Sequence, residues 1–344
     1  MLKKCGQALF YTPSAPSEVN EGELMATDTG FNPGWGMQLR VLVTSLLVFG
    51  LVAAVIGLLL NYLGFGGSGS ILMWILVSFV MIGVQWYFGP TIIKWATGAK
   101  EMKREDAPEI YEIVQRLTQK ARLPMPKLYL VNNPTPNAFA FGRTQSDSNI
   151  AVHAGLLSVL NKDEIEGVLA HEIGHINNRD VAVMTLASVI PVMLYYGFLI
   201  FGSDRNGRSS IMTIIGAFVA QFIGQLLVMW LSRQREYFAD EFSARLTGNP
   251  QPLMSALAKI TYGQAMGAKS TGTSSMASAL YIAEPSGAKM SVAEIASAIR
   301  SGDESALAAA IEKEKKGGAM ELLMTHPLTS KRLERLMRIK KGAA

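Results

Sequence analysis

The sequence is short of charge. Asp, Glu, Lys and Arg make up 17% of its 344 residues, against about 25% in soluble domains. With 49% of the chain apolar and a mean hydropathy of +0.23, the balance is the reverse of a disordered chain's. It is also a poor fit to an ordinary soluble enzyme. A single cysteine, Cys5, excludes an intrachain disulfide and with it a stapled secreted scaffold. The 32 basic side chains outnumber the 27 acidic ones by five, too thin an excess over this length for a nucleic-acid surface. Histidine is scarcer still, with four in the chain.

What the chain does have is long apolar runs. Residues 41–93 contain no Asp, Glu, Lys, Arg or His. A bilayer span takes about 20 apolar residues, so this stretch predicts two spans, 41–60 and 71–89, joined by a Gly/Ser-rich turn over 61–70. Two further uncharged runs, 181–202 and 209–231, are each long enough to cross. Pro191, Gln221 and Gln225 within them, and Asp204, Arg205 and Arg208 between them, leave two readings open: a second hairpin, which is preferred, or helices packed on the membrane face. Basic residues beside the spans set the orientation. Arg40 before the first span, with Lys94, Lys100, Lys103 and Arg104 after the second, places both ends of the first hairpin in the cytoplasm. Either reading of the second pair leaves residues 94–180 and 232–344 on one side.

The expected organisation is a polar N-terminal tail over 1–36, a transmembrane hairpin over 37–93, the first part of a catalytic domain over 94–180, a second hydrophobic helical pair over 181–231, and the second part of the domain over 232–344. The tail carries Lys3 and Lys4 but no adjoining apolar core or small-residue cleavage site, so it reads as a loosely ordered cytoplasmic segment rather than a signal peptide. Ile110, Ile113, Val114 and Leu117 give residues 109–121 helical spacing. Residues 127–131, 138–141 and 149–152 read as short strands between Pro, Asn and Gly turns. The rest reads as helix, except the Gly/Ser/Thr-rich stretch 263–278. The fold class is thus α+β, mainly helical, with a small β-sheet and two to four transmembrane helices.

Half of the histidines meet in His171-Glu172-Ile173-Gly174-His175. Asn161 with Glu164 three residues on is an N-cap signal, and Ile165, Val168, Leu169 and Ile176 continue at helical spacing. Histidines four apart stack on one helix face, where both rings can reach one metal ion. Glu172 lies beside them, placed to hold and deprotonate a metal-bound water. Zinc suits two neutral imidazoles and brings bound water to a pKa of about 7. Two solvated histidines on a surface helix would leave this concentration unexplained. A third protein ligand is needed, with one position left open. The best candidate lies in Arg233-Gln-Arg-Glu236-Tyr-Phe-Ala-Asp240, which enters a helix ending near Gly248. Glu236 and Asp240 share a face. One could bind the metal while the other receives a ligand histidine's second N–H, and spacing alone leaves the assignment open.

His-Glu-Ile-Gly-His at 171–175, then a hydrophobic pair, then Arg-Glu-Tyr-Phe-Ala-Asp at 235–240, resembles the M48 family of membrane zinc metallopeptidases, and most closely its HtpX branch. Asn137-Ala-Phe-Ala-Phe-Gly142 and Thr325-His326-Pro327 with Arg332 extend the resemblance, which runs in family order from about residue 40 to the end. It implies a membrane-anchored, zincin-like metalloprotease domain with one zinc ion per chain held by His171, His175 and Glu236. It makes Glu172 the catalytic glutamate and places Asp240 behind the ligands. Asn137, Ala138, Phe139 and Ala140 become a sheet edge that pairs with substrate backbone. His326 and Arg332 could then stabilise the oxyanion, although a Pro-flanked histidine can merely cap a helix and Arg332 belongs to the basic run 331–341. His153 stays outside the metal site, and Tyr237 and Phe238 are expected to pack. The tail is longer than the branch usually shows, and residues 271–320 resemble the family only patchily.

The activity implied is ATP-independent endoproteolysis of misfolded or damaged membrane proteins at the cytoplasmic face of a bacterial-type inner membrane, a quality-control and stress-response role. Partners are protein substrates and the lipid bilayer, with no nucleic acid; the oligomeric state is not legible. One rival is a narrower prenylated-peptide protease, which would need more membrane spans than can be counted. The other is a zinc-containing membrane scaffold without turnover, for which Glu172 would have no use.

Overall fold

The computed structural model describes residues 69–202, 210–267, 298, 309, 324–340 and 342. The predicted span over 41–60, the tail over 1–36 with Cys5, and nearly all of 263–320 lie outside these residues.

The described helices are of two kinds. Helix α1 (Gly69–Thr97) is apolar around its circumference, and Leu76, Phe79, Val80, Phe88 and Ile92 are all exposed. Such a helix is stable only where lipid replaces water. The run 180–202 is two helices, α5 (Asp180–Ala187) and α6 (Val189–Gly202). The break falls where Pro191 would crowd the carbonyl four residues back, at Ala187. Helix α7 (Ile211–Thr247) has 37 residues and is about 55 Å long at 1.5 Å per residue, far more than a bilayer core requires. The Ser210 hydroxyl caps it by accepting the Thr213 N–H at 3.1 Å, and Gly248 closes it at φ 78°. The predicted short helix bearing Glu236 is therefore the far end of the second apolar helix. Among the described residues, Leu76–Thr97, Asp180–Gly202 and Ile211–Thr247 are long and apolar enough to cross a membrane.

Helices α6 and α7 pack antiparallel and close. A Cβ on Gly224 would lie 2.8 Å from the Pro191 Cα, the kind of small-residue contact that lets membrane helices approach.

The rest forms one body. In chain order it comprises β1 (Lys100–Glu101), α2 (Pro108–Ala121), β2 (Lys127–Val131), β3 (Ala138–Gly142), β4 (Ser148–His153), α3 (Ala154–Val159), α4 (Lys162–Asn177), then α8 (Gln251–Gly267) and α9 (Thr329–Lys340). The three predicted strands appear within a residue or so of their expected ends, and β1 was not anticipated. The sheet order is β1-β2-β4-β3, with β2 and β4 parallel and the other pairs antiparallel, so β3 is an edge. Leu128, Ile150 and Val152 bury one face against the helices, while Tyr129, Phe139 and Phe141 form the other beside Ile93 of α1. The main core joins Leu117, Leu169 and Ile173 to Leu253, Leu257 and Leu333. Residues on either side of the 181–231 insertion thus fold together, and the fold is α+β and mainly helical.

Helix α4 runs through the centre of this core. Its expected cap is a full capping box: Asn161 Oδ1 accepts the Glu164 N–H and Glu164 Oε2 accepts the Asn161 N–H, each at 2.9 Å. Glu164 also accepts from Ser255 Oγ at 2.6 Å and Lys259 Nζ at 2.7 Å, which fixes α4 to α8.

Candidate metal centre

The site begins with the spacing on α4. His171 and His175 project from one face with ring centroids 4.7 Å apart and their Nε2 atoms 3.1 Å apart. Glu236 reaches them from α7, with Oε2 3.5 Å from His171 Nε2 and Oε1 3.5 Å from His175 Nε2. Gly174 makes that approach possible, since a Cβ there would lie 3.1 Å from the Ala239 Cα. Ser243 of α7 adds a hydrogen bond to the Gly167 carbonyl at 2.8 Å. His171, His175 and Glu236 each offer one ligand atom, all within 4.8 Å of one another.

The outward ring nitrogens are held by carboxylates. His171 Nδ1 lies 3.0 Å from Asp240 Oδ1, and His175 Nδ1 lies 2.5 Å from Asp180 Oδ2. Each Nδ1 therefore carries a proton, and the two Nε2 atoms converge. Nitrogens 3.1 Å apart need a proton or a metal ion between them. Tetrahedral ligation at Zn–N distances of 2.0–2.1 Å would set the two nitrogens about 3.3 Å apart, close to what is observed. Glu236 Oε2 is buried with no hydrogen-bond donor aligned on it, Arg332 Nη1 standing 3.2 Å off as an ion-pair neighbour. The demand for positive charge also shows in His171. Burial opposes its protonation, yet the Asp240 and Glu236 carboxylates prevail and push it up to about 9. The donor set of two imidazoles and a carboxylate fits a catalytic divalent metal, zinc above all. Spacing left Glu236 and Asp240 interchangeable; in the fold Glu236 faces the Nε2 atoms and Asp240 backs His171.

Glu172, next to His171 on α4, is 2% exposed. Its Oε2 accepts the Ala140 N–H at 2.7 Å. Burial raises the affinity of its carboxyl for a proton, against the lowering effect of the two nearby histidines. Along β3 the His153 N–H bonds the Asn137 carbonyl at 2.9 Å, so Asn137 and, by alternation, Phe139 and Phe141 face β4. Ala138 and Ala140 turn their backbone groups to the free edge.

Arg332 and His326 converge on the same centre from the C-terminal segment. Arg332, 1% exposed, grips Asp240 with two donors, Nε to Oδ2 at 2.8 Å and Nη2 to Oδ1 at 2.6 Å. Its guanidinium faces carboxylates, which raise its pKa despite burial. That differs from the open orientation its expected oxyanion role would require. His326 Nδ1 lies 3.4 Å from Glu236 Oε1. His153 is away from the cluster, with Nδ1 3.0 Å from the Thr135 carbonyl. Tyr237 packs under the Arg335 guanidinium, 5.2 Å from its ring centroid, but Phe238 is exposed, against expectation, because it falls on the outer face of α7.

Sequence reasoning missed three residues. Asp180 lies past the end of the catalytic helix: α4 ends at Asn177 and Asp180 opens α5. Arg235 pairs with Asp180 at 3.0 Å, and buried Arg233 donates to the Met324 carbonyl at 2.7 Å, beside the loop bearing His326. Only the unusual density of charge at the ends of apolar runs could have pointed to them.

Residues 104–340 match Peptidase family M48. A Protease HtpX homolog of Methanothermobacter thermautotrophicus is 37% identical over 66% of this chain and 86% of that protein. The Protease HtpX homolog of Thermococcus sibiricus is 33% identical over 89% of this chain and 97% of that protein. A crystal structure of S. mikatae Ste24p shares 18% identity at a TM-score of 0.48, covering 86% of this chain and 66% of that one. The chain belongs to peptidase family M48 and is a membrane metalloprotease acting on protein substrates.

Proposed function

We propose that this M48 peptidase is a zinc-dependent endopeptidase that cuts misfolded or damaged membrane proteins at the cytoplasmic face of the cell membrane. The observation that carries the metal reading is the convergence of the His171 and His175 Nε2 atoms beside Glu236, with both Nδ1 atoms anchored. Those three residues would hold the ion. When bound, zinc supplies Lewis acidity that polarises water and the scissile carbonyl.

The chain's own groups do the rest. An extended substrate segment adds to the free edge of β3 at Asn137–Ala140, pairing with the outward backbone groups of Ala138 and Ala140. Glu172 takes a proton from the attacking water as its oxygen bonds to the carbonyl carbon. It then delivers that proton to the amide nitrogen as the C–N bond breaks. His326 is placed to donate to the developing oxyanion. Arg332 acts as a positioning residue that holds Asp240 and Glu236.

The membrane supports the substrate class. Asp180, five residues past His175, opens the apolar run that leads into the membrane, and α7 carries Glu236 out of it. A cleft so close to the bilayer suits loops and tails of membrane proteins. Lys94, Lys100, Lys103 and Arg104 beside α1 support a cytoplasmic site.

The test is casein cleavage by the detergent-purified full chain, with zinc quantified in the same samples, for wild type and Glu172→Gln. One zinc per chain in both with cleavage only in wild type is the expected result. Zinc without cleavage in wild type would instead support a scaffold, and no zinc in carefully handled wild type would overturn the proposal.

A further inference from the structure

Behind His175 lies a contact that ties the metal site to the base of the membrane hairpin. The Asp180 carboxylate is 3% exposed and divided between two partners. Its Oδ2 takes His175 Nδ1 at 2.5 Å, and its Oδ1 lies 3.0 Å from Arg235 Nε, an ion pair by distance whose N–H is not aligned on the oxygen. Asp180 is the first residue of the apolar run 180–202, and Arg235 sits on α7 one residue before Glu236. The pair therefore clasps the two chain segments where they leave the domain.

The local backbone is bent to make this contact. Helix α4 stops at Asn177, and Arg179 adopts φ 55°, ψ 39°, the left-handed conformation that favours glycine. An L side chain is strained in that conformation, and strain of this kind persists where the surroundings impose it. Here it turns the chain so that Asp180 reaches back to the ring.

We propose that Asp180, held by Arg235, is a positioning residue that fixes the tautomer and ring plane of His175 and makes metal affinity depend on the closed base of the α6–α7 hairpin. This rests on the reading of His171, His175 and Glu236 as metal ligands. The carboxylate keeps the proton on Nδ1 and leaves Nε2 free to ligate, and its charge makes that nitrogen a better donor. Arg235 gives that buried carboxylate its counter-ion. If the two helices part at their base, Asp180 loses its cation and His175 its fixed ring.

The experiment measures metal affinity of the detergent-purified full chain by competition with a chromophoric chelator, and the absorption spectrum of the cobalt-substituted protein. The variants are Asp180→Ala, Asp180→Asn, Arg235→Gln, the Asp180→Ala/Arg235→Gln double variant and His175→Ala. Asp180→Ala is expected to lose about 10–100-fold in affinity with a shifted cobalt spectrum. Asp180→Asn keeps volume and an acceptor for Nδ1–H, so it should fall between Ala and wild type. Arg235→Gln should weaken binding alone and change nothing further in the Asp180→Ala background. Thermal unfolding in excess chelator separates folding from ligation. If Asp180→Ala fails to fold, Asp180→Asn and Arg235→Gln carry the test. Wild-type affinity and spectrum in both of those overturn the inference alone. Unchanged affinity in His175→Ala, or no metal uptake by wild type, overturns the metal-site reading and the inference with it.

Discussion

The Glu172 carboxylate and the Ala140 amide are joined by a 2.7 Å hydrogen bond. The group proposed to move the proton thus touches the β3 edge proposed to take a peptide. In a sheet ordered β1-β2-β4-β3, the Ala140 N–H has no strand partner on that side among the described residues, so Glu172 or an added strand must satisfy it.

That contact gives a prediction for Ala140→Pro. The substitution deletes an edge donor without touching the β4 ladder, where proline would not be tolerated. Cleavage efficiency should fall about tenfold or more, mainly through KM, with little change in Tm. Phe139→Pro, which faces β4, should lower Tm sharply. Steady-state kinetics on a fluorogenic peptide beside thermal unfolding would check both, and an unaffected KM in Ala140→Pro would count against strand addition.

Arg332→Ala should behave as a stability variant. It leaves the Asp240 and Glu236 carboxylates buried without their cation, a loss of about 3–5 kcal/mol by analogy with broken buried pairs. Arg332→Lys keeps the charge but not the two-pronged grip on Asp240, so its loss should be smaller. Denaturant unfolding of the metal-free protein measures this. A large fall in kcat with unchanged stability would return Arg332 to the oxyanion role.

Metal uptake should depend on pH through His171. A metal ion must displace its Nε2 proton, so affinity should rise about tenfold per pH unit until about 9, where the metal-free ring releases its proton unaided. The same raised pKa stabilises the metal-free fold. That contribution is complete below the unfolded value of 6.5 and is lost as pH rises through about 9. Chelator competition and unfolding of the metal-free protein at pH 6 and pH 9 should therefore run in opposite directions.

His153 gives the opposite sign. Burial holds its imidazole below the usual 6.5, outweighing the hydrogen bond to the Thr135 carbonyl. The unfolded chain takes up a proton first as pH falls, so this residue's contribution is complete above 6.5 and lost below it. His153→Gln should flatten the decline of unfolding free energy between pH 7 and pH 5. An equal slope in both proteins would show that His153 is protonated as readily in the fold.

The sequence by itself determined everything that depends on local spacing. The 3.6-residue period places His171 above His175, Asn161 and Glu164 form a capping box across three residues, and uncharged runs of about 20 residues declare helices suited to lipid. Each is a relationship within one helix and needs no knowledge of the rest of the chain. The resemblance of the motifs supplied the order in which Glu236 and Arg332 return to the site. It also implied that Glu236 ligates while Asp240 stands behind, and tertiary structure supplied the geometry that spacing left open. Glu236 faces the Nε2 atoms while Asp240 stands behind His171 because α7 crosses α4 at Gly174, and no spacing records where two helices cross. The partners of Asp180 lie on a second helix and on the far side of a left-handed Arg179. The turn of Arg332 toward Asp240 depends on a contact across 92 residues of chain. Such contacts arise from packing the same apolar surfaces that periodicity reveals, but which surface meets which is settled only when they are buried together.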